Sequence, residues 1–136
     1  MQEQKKLKSQ SCIHGIGVDI VDVSRIEAAA KKWGNRFLKR VFTETELAYC
    51  FKKAGPYTSL AARFAAKEAF IKALQADVVI PLQDIETLNN EKGVPSIRLY
   101  GRAEEHFKRL IREGNIHLSL SHDRSLAIAF VIIEVV

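Results

Sequence analysis

The sequence predicts an α+β domain, and three observations carry that expectation. β-Branched apolar segments open and close the chain, at residues 13–21 and 126–136. Helix-start signals recur between residues 24 and 75. After Pro81 the pattern turns from helical to alternating. At 136 residues the chain is the length of one domain, assigned to residues 12–136. Residues 1–11, MQEQKKLKSQS to its eleventh position, read as a flexible N-terminal tail, polar and lysine-rich.

In order, CIHGIGVDIV reads as a buried strand. Ser24 stands three residues before Glu27, a capping-box spacing that opens a helix over residues 25–33. Gly34 ends it, and Asn35 caps a short helix through residue 41. Thr43 and Glu46 repeat the capping-box spacing for a third helix, which stops before Gly55-Pro56. A long helix follows over residues 58–75. From Leu60 to Leu74 its uncharged residues are all Ala, Leu, Ile or Phe, interrupted by Arg63, Lys67, Glu68 and Lys72. At about 100° per residue, Leu60, Phe64 and Ile71 define a stripe with Glu68 and Lys72 on its edge. Residues 84–89 and 96–100 read as a hairpin around the turn Asn90 to Gly93. A helix over 102–112 is followed by an alternating strand, Ile116, Leu118, Leu120, that ends at His122-Asp123-Arg124. The closing strand is apolar almost throughout and needs cover on both faces.

Composition excludes several classes. A 47% hydrophobic and 27% charged chain is neither disordered nor membrane-spanning, and no apolar run approaches the roughly 20 residues a span needs. No secretory signal opens the sequence, and Cys12 and Cys50 lack metal-ligand spacing, reading instead as buried thiols of a reducing compartment. The expected location is cytoplasmic, with no membrane partner. A net charge of +5 favours an anionic partner. Arg25, Lys31, Lys32, Arg36, Lys39 and Arg40 face a single acid, Glu27, in that stretch. They form either a solvated helix face or a surface for an acidic protein or a ligand's phosphates. Zinc spacing, aromatic RNA-binding strands and basic-heptad arrays are missing, so nucleic acid is disfavoured.

Charges set into an apolar helix need a partner, a metal or a ligand. Asp19 is the one acid of the first strand, with Gly15 and Gly17 before it where another backbone or a ligand can approach closely. Its alternative role is a structural ion pair or cap. Glu68 has a helical alternative, the pair with Lys72 four residues on. If the two acids converge to about 4 Å they repel by roughly 4 kcal/mol at an effective dielectric of 20, so one is protonated or a cation sits between them. Two carboxylates without histidine or cysteine suit a hard ion such as magnesium, completed by waters and phosphates. Arg63, Lys67 and Lys72 then make sense as phosphate ligands. His122 is either a ligand contact or a strand-end cap.

Three blocks, GIGVDIVDVSRI, RFAAKEAFIKAL and SLSHDRSLAIAFVI, resemble the holo-(acyl-carrier-protein) synthases, the small trimeric class of 4′-phosphopantetheinyl transferases. The resemblance runs from Ile13 to Val136. It implies that family's fold, a mixed sheet of about five strands against one long and several shorter helices. It further implies transfer of phosphopantetheine from coenzyme A to a serine of an acidic acyl carrier protein, as in fatty acid biosynthesis, with release of 3′,5′-ADP. By resemblance, Asp19 and Glu68 are Mg2+ ligands, and Glu68 and Lys72 are catalytic. Arg63, Lys67, Lys72, Gly93, Pro95 and His122 are coenzyme A contacts, and Arg25, Arg36 and Arg40 dock the carrier. A homotrimer with active sites between subunits is also implied. The family's Gly-Lys-Pro turn is here Gly93-Val94-Pro95, which removes one basic contact. The serine's base is open between Glu68 and a metal-bound water. Two rivals remain, a non-catalytic module binding an acidic protein or nucleotide, and a transferase serving a polyketide or peptide synthase carrier.

Overall fold

The computed structural model describes residues 12–136, so the tail read for residues 1–11 lies outside the described residues. Strand β1 (Cys12–Asp22) leads into helices α1 (Val23–Trp33), α2 (Asn35–Val41), α3 (Glu44–Phe51) and the long α4 (Pro56–Leu74). A 3₁₀ turn (Leu82–Asp84), β2 (Ile85–Asn89), β3 (Pro95–Leu99), α5 (Gly101–Ile111), β4 (Gly114–His122) and β5 (Leu126–Val135) complete the chain. The α+β class and the five strands are as expected, but the single mixed sheet is corrected. The strands divide into a three-stranded sheet, ordered β1-β5-β4, and the separate hairpin β2-β3, and every pairing is antiparallel. The β2-β3 and β4-β5 pairs are joined by short turns, whereas β1 meets β5 only after the rest of the chain has passed between them.

Local chemistry sets most element ends. Asp22, not Ser24, caps α1, accepting from the Ser24 amide. Gly34 closes α1 at φ 55° and serves as N-cap of α2, which leaves Asn35 inside the helix without a capping role. Thr43 and Glu46 make both halves of the expected capping box. Pro56 takes the first position of α4, where its missing N–H costs nothing.

Helix α4 is buried nearly all round, and of the stripe that periodicity indicates only Leu60 is fully buried. Its alanines 61, 62, 65, 66, 69 and 73 pack inward, while Phe64, Glu68 and Ile71 are half-buried and Lys72 is exposed. Small residues let the helix sit almost directly on β1. A Cβ at Gly15 would stand 2.0 Å from the Ala73 carbonyl oxygen, and one at Gly17 would stand 1.9 Å from that of Ala69. The close approach expected of these glycines is therefore to the helix backbone, and it brings β1 side chains to the open edge of α4.

The closing strand is covered on one face only. Ala127, Ala129, Val131 and Ile133 lie under α4, while Leu126, Ile128 and Phe130 alternate outward. Register sets Phe130 beside Val18, Ile128 beside Ile20 and Ile132 beside Ile16. With Ile16, Val18 and Ile20 each more than half exposed, the outer face of β1 and β5 is one apolar wall. Cys50 is buried as expected and its thiol is pushed up by that burial, whereas Cys12 is exposed; both are free.

Candidate active site

Asp19 lies on the face of β1 that meets α4, two residues beyond Gly17, and the helix presents Glu68 and Lys72 to it. The Lys72 ammonium donates to Asp19 Oδ1 at 3.0 Å and to the Val18 carbonyl at 2.9 Å. Burial, and then the Asp19 charge, hold the Glu68 carboxyl above the usual carboxylate range, with Lys72 opposing. Asp19 and Glu68 share a cavity of about 210 Å³ with Ile20, Val21, Arg25 and Phe64. The two acids are thus brought to one cavity, near enough for the charge of Asp19 to act on Glu68. No cluster of three or more acidic, histidine or cysteine ligands exists among the described residues. Two carboxylates alone fit an oxygen-seeking ion that takes its remaining ligands from water and phosphate, so the donor set suits magnesium.

A second, larger cavity of about 390 Å³ gathers Arg63, Gly93, Pro95 and His122, together with Tyr49, Lys53, Ser59 and Asn89. The Arg63 guanidinium donates to Ser59 Oγ at 2.9 Å and to Asn89 Oδ1, and lies 4.4 Å over the Tyr49 ring. The sequence reading missed Tyr49, Lys53 and Asn89. The basic pair Lys52-Lys53 before Gly55-Pro56 was its one available signal for this wall.

The two cavities lie at opposite edges of the sheet. Asp19 belongs to edge strand β1 and His122 to edge strand β4, with β5 between them and α4 across the middle. Arg63 and Glu68, five residues apart, point about 140° apart around that helix.

Lys67 joins neither group, which corrects its expected role as a coenzyme A contact. Its side chain is fully buried, and the ammonium donates to Glu46 Oε1 at 2.7 Å, to the Leu82 carbonyl at 3.1 Å and to the Ile85 carbonyl. Burial pulls its pKa below the usual lysine range and Glu46 works against that pull. An ammonium with all three protons engaged inside the protein has none left for an external phosphate.

The three arginines expected to dock a carrier also separate. Arg36 and Arg40 line a groove of about 310 Å³ with Trp33 and Phe37. Arg25 instead borders the Asp19–Glu68 cavity. The half-exposed Trp33, with Lys32 5.0 Å from its ring, was also missed.

Comparison with known proteins identifies the family. The model of the 4′-phosphopantetheinyl transferase superfamily matches residues 15–131. A holo-[acyl-carrier-protein] synthase of Halothermothrix orenii is 49% identical over 126 residues, covering 90% of this chain and 98% of that protein. The crystal structure of the Neisseria meningitidis holo-[acyl-carrier-protein] synthase superposes with a TM-score of 0.79 at 34% identity, over 90% of this chain and 98% of that one. The Helicobacter pylori synthase, solved in complex with coenzyme A, gives 0.75 at 34% identity, over 87% and 98%.

Proposed function

This chain belongs to the holo-[acyl-carrier-protein] synthases of the 4′-phosphopantetheinyl transferase superfamily, and on that premise we propose a Mg2+-dependent transfer from coenzyme A to an apo acyl carrier protein. The carrier's serine oxygen forms a bond to the β-phosphorus of coenzyme A, the bond from that phosphorus to the bridging oxygen breaks, and 3′,5′-ADP leaves. The single observation carrying this reading is that Asp19 and Glu68 line one cavity while Lys72 donates to Asp19.

Asp19 and Glu68 would hold the metal, which when bound supplies positive charge to the diphosphate oxygens as negative charge gathers on them. Lys72, more than half exposed and tethered by Asp19 and a carbonyl, can turn its ammonium toward the departing 5′-phosphate. Charge placed where the transition state is more negative than the ground state accelerates the step. Glu68 would take the serine proton through a carboxylate oxygen not given to the metal. Arg63, Gly93, Pro95 and His122 would bind coenzyme A in the larger cavity. The groove of Trp33, Arg36, Phe37 and Arg40 would receive the acidic carrier, steered by charge.

We infer further that one coenzyme A is shared between two copies of the chain in a homotrimer. The separation of the two cavities onto opposite sheet edges supports this, because the carboxylate edge of one copy can meet the Arg63 edge of the next. The apolar wall of β1 and β5 supports it too, since a monomer would leave that wall in water. Such head-to-tail contacts close into a ring.

The direct test is the mass of an apo acyl carrier protein after incubation with the enzyme, coenzyme A and magnesium. The carrier should gain one phosphopantetheine with the wild-type chain and none with folded Asp19→Ala or Glu68→Ala. Undiminished gain with both variants would refute the metal role. A panel of fatty acid, polyketide and peptide synthase carriers ranks the partners.

A further inference from the structure

The buried pair of Lys67 and Glu46 is left without a task by the transfer chemistry. Its connections run to both walls of the larger cavity. Glu46 Oε1 accepts from the Thr43 amide at 3.0 Å and so closes the first turn of α3. Three residues on, α3 carries Tyr49, whose ring lies under the Arg63 guanidinium. Glu46 Oε2 accepts from the Thr87 amide at 3.0 Å. Two residues further along the same face of β2 stands Asn89, whose side-chain oxygen accepts from Arg63. Lys67 itself sits one turn beyond Arg63 on α4 and donates to the carbonyls of Leu82 and Ile85, at the entry to β2.

The pair therefore binds α3, α4 and β2 at one point, and every other contact named for Arg63 lies on those elements. Ser59 is on α4, Asn89 on β2 and Tyr49 on α3. The Arg63 Nε is enclosed and has no hydrogen-bond partner among the described residues, so the guanidinium's direction depends on these few neighbours. A buried ion pair contributes little net stability over apolar residues of the same volume, and its best-attested use is to fix register.

We propose that Glu46 and Lys67 are positioning residues for coenzyme A, holding Tyr49 and Asn89 where they aim Arg63 into the cavity. The proposal rests on the reading of that cavity as the coenzyme A site. The pair acts on affinity for the nucleotide and leaves the chemistry at Asp19, Glu68 and Lys72 alone.

The test is a double-mutant cycle on coenzyme A affinity, measured by calorimetry with the full chain as wild type, Glu46→Gln, Arg63→Ala and both together. Arg63→Ala should weaken binding roughly tenfold or more, as expected when a charged hydrogen-bonding group is removed. Glu46→Gln keeps one carbonyl oxygen for the cap, and should weaken binding about three- to tenfold in the wild-type background but not further when Arg63 is already Ala. In turnover, Glu46→Gln should raise KM for coenzyme A and leave kcat within about twofold. Should Glu46→Gln fail to fold, the paired replacement Glu46→Leu with Lys67→Met, which leaves no buried charge unpaired, carries the same expectation. An unchanged Kd, or an equal loss in both backgrounds, overturns the positioning role. Wild-type affinity in Arg63→Ala overturns the cavity reading and the proposal with it.

Discussion

Gly17→Ala adds one methyl group at the contact between β1 and α4. The new Cβ would lie 1.9 Å from the Ala69 carbonyl oxygen, 2.8 Å from its carbon and 2.9 Å from the Ala73 nitrogen. All three are backbone atoms, so no side chain can turn aside. Ordinary contact begins at 3.4 Å, which leaves the strand and helix about 1.5 Å too close. Relief by separation costs about 1–3 kcal/mol. For a domain of this size that lowers Tm by roughly 4–12 °C. The larger effect falls on the site, because Asp19 is two residues along the strand and Glu68 immediately precedes Ala69. The 3.0 Å contact from Lys72 to Asp19 would open, and a misplacement near 1 Å can cost about a hundredfold in rate. Calorimetry gives the Tm, and carrier modification at 20 °C, where the variant remains folded, gives the turnover. A variant with unchanged Tm and unchanged turnover would refute the close-packing argument.

Two further outcomes follow from the site. The Glu68 carboxyl is held above its ordinary value of 4.5 by burial and by Asp19, so its ionisation destabilises the metal-free fold. That stabilising contribution is complete below pH 4.5 and is lost as pH rises through the raised folded value. Glu68→Gln should accordingly gain on the wild type in urea-unfolding stability from acid to neutral pH, and a constant difference would contradict the shift. Cation binding needs the ionised form, so by the same sign magnesium affinity should begin to fall on acidification above pH 4.5, as titration calorimetry can show. Charge reversal at Arg36 and Arg40 should raise KM for the carrier about tenfold or more and flatten its salt dependence, while coenzyme A affinity holds. A fall in coenzyme A affinity would instead remove the groove from carrier docking.

The parts of this fold that were legible in the sequence are those governed by neighbours a few residues apart. Thr43 and Glu46 announce α3 because a capping box closes within one turn. Gly34 and Pro56 mark helix ends for equally local reasons. Glu46 has a second role with Lys67, 21 residues away, and no local pattern carries that, so Lys67 looked like an available cation. The Leu60–Phe64–Ile71 stripe found only Leu60 of the fully buried side of α4, since alanine scarcely registers as apolar in a periodicity count. Alanine is nevertheless the residue that lets the helix lie against Gly15 and Gly17. Apolarity of β5 told of burial but not by what. The chain covers one face of that strand and leaves the other partly exposed. Asp19 and Glu68 were nominated from residue type, yet their convergence came from the family resemblance, because 49 positions separate them and spacing alone is silent.

Co-expression of Asp19→Ala chains with Arg63→Ala chains tests the shared site most directly. In rings of three assembled at random, about a quarter of all junctions pair an intact carboxylate edge with an intact Arg63 edge. Carrier modification at low coenzyme A should therefore return to about a quarter of the wild-type rate, from two variants each nearly inactive alone. A mixture no more active than the sum of its separate parts would show that each chain builds its site by itself.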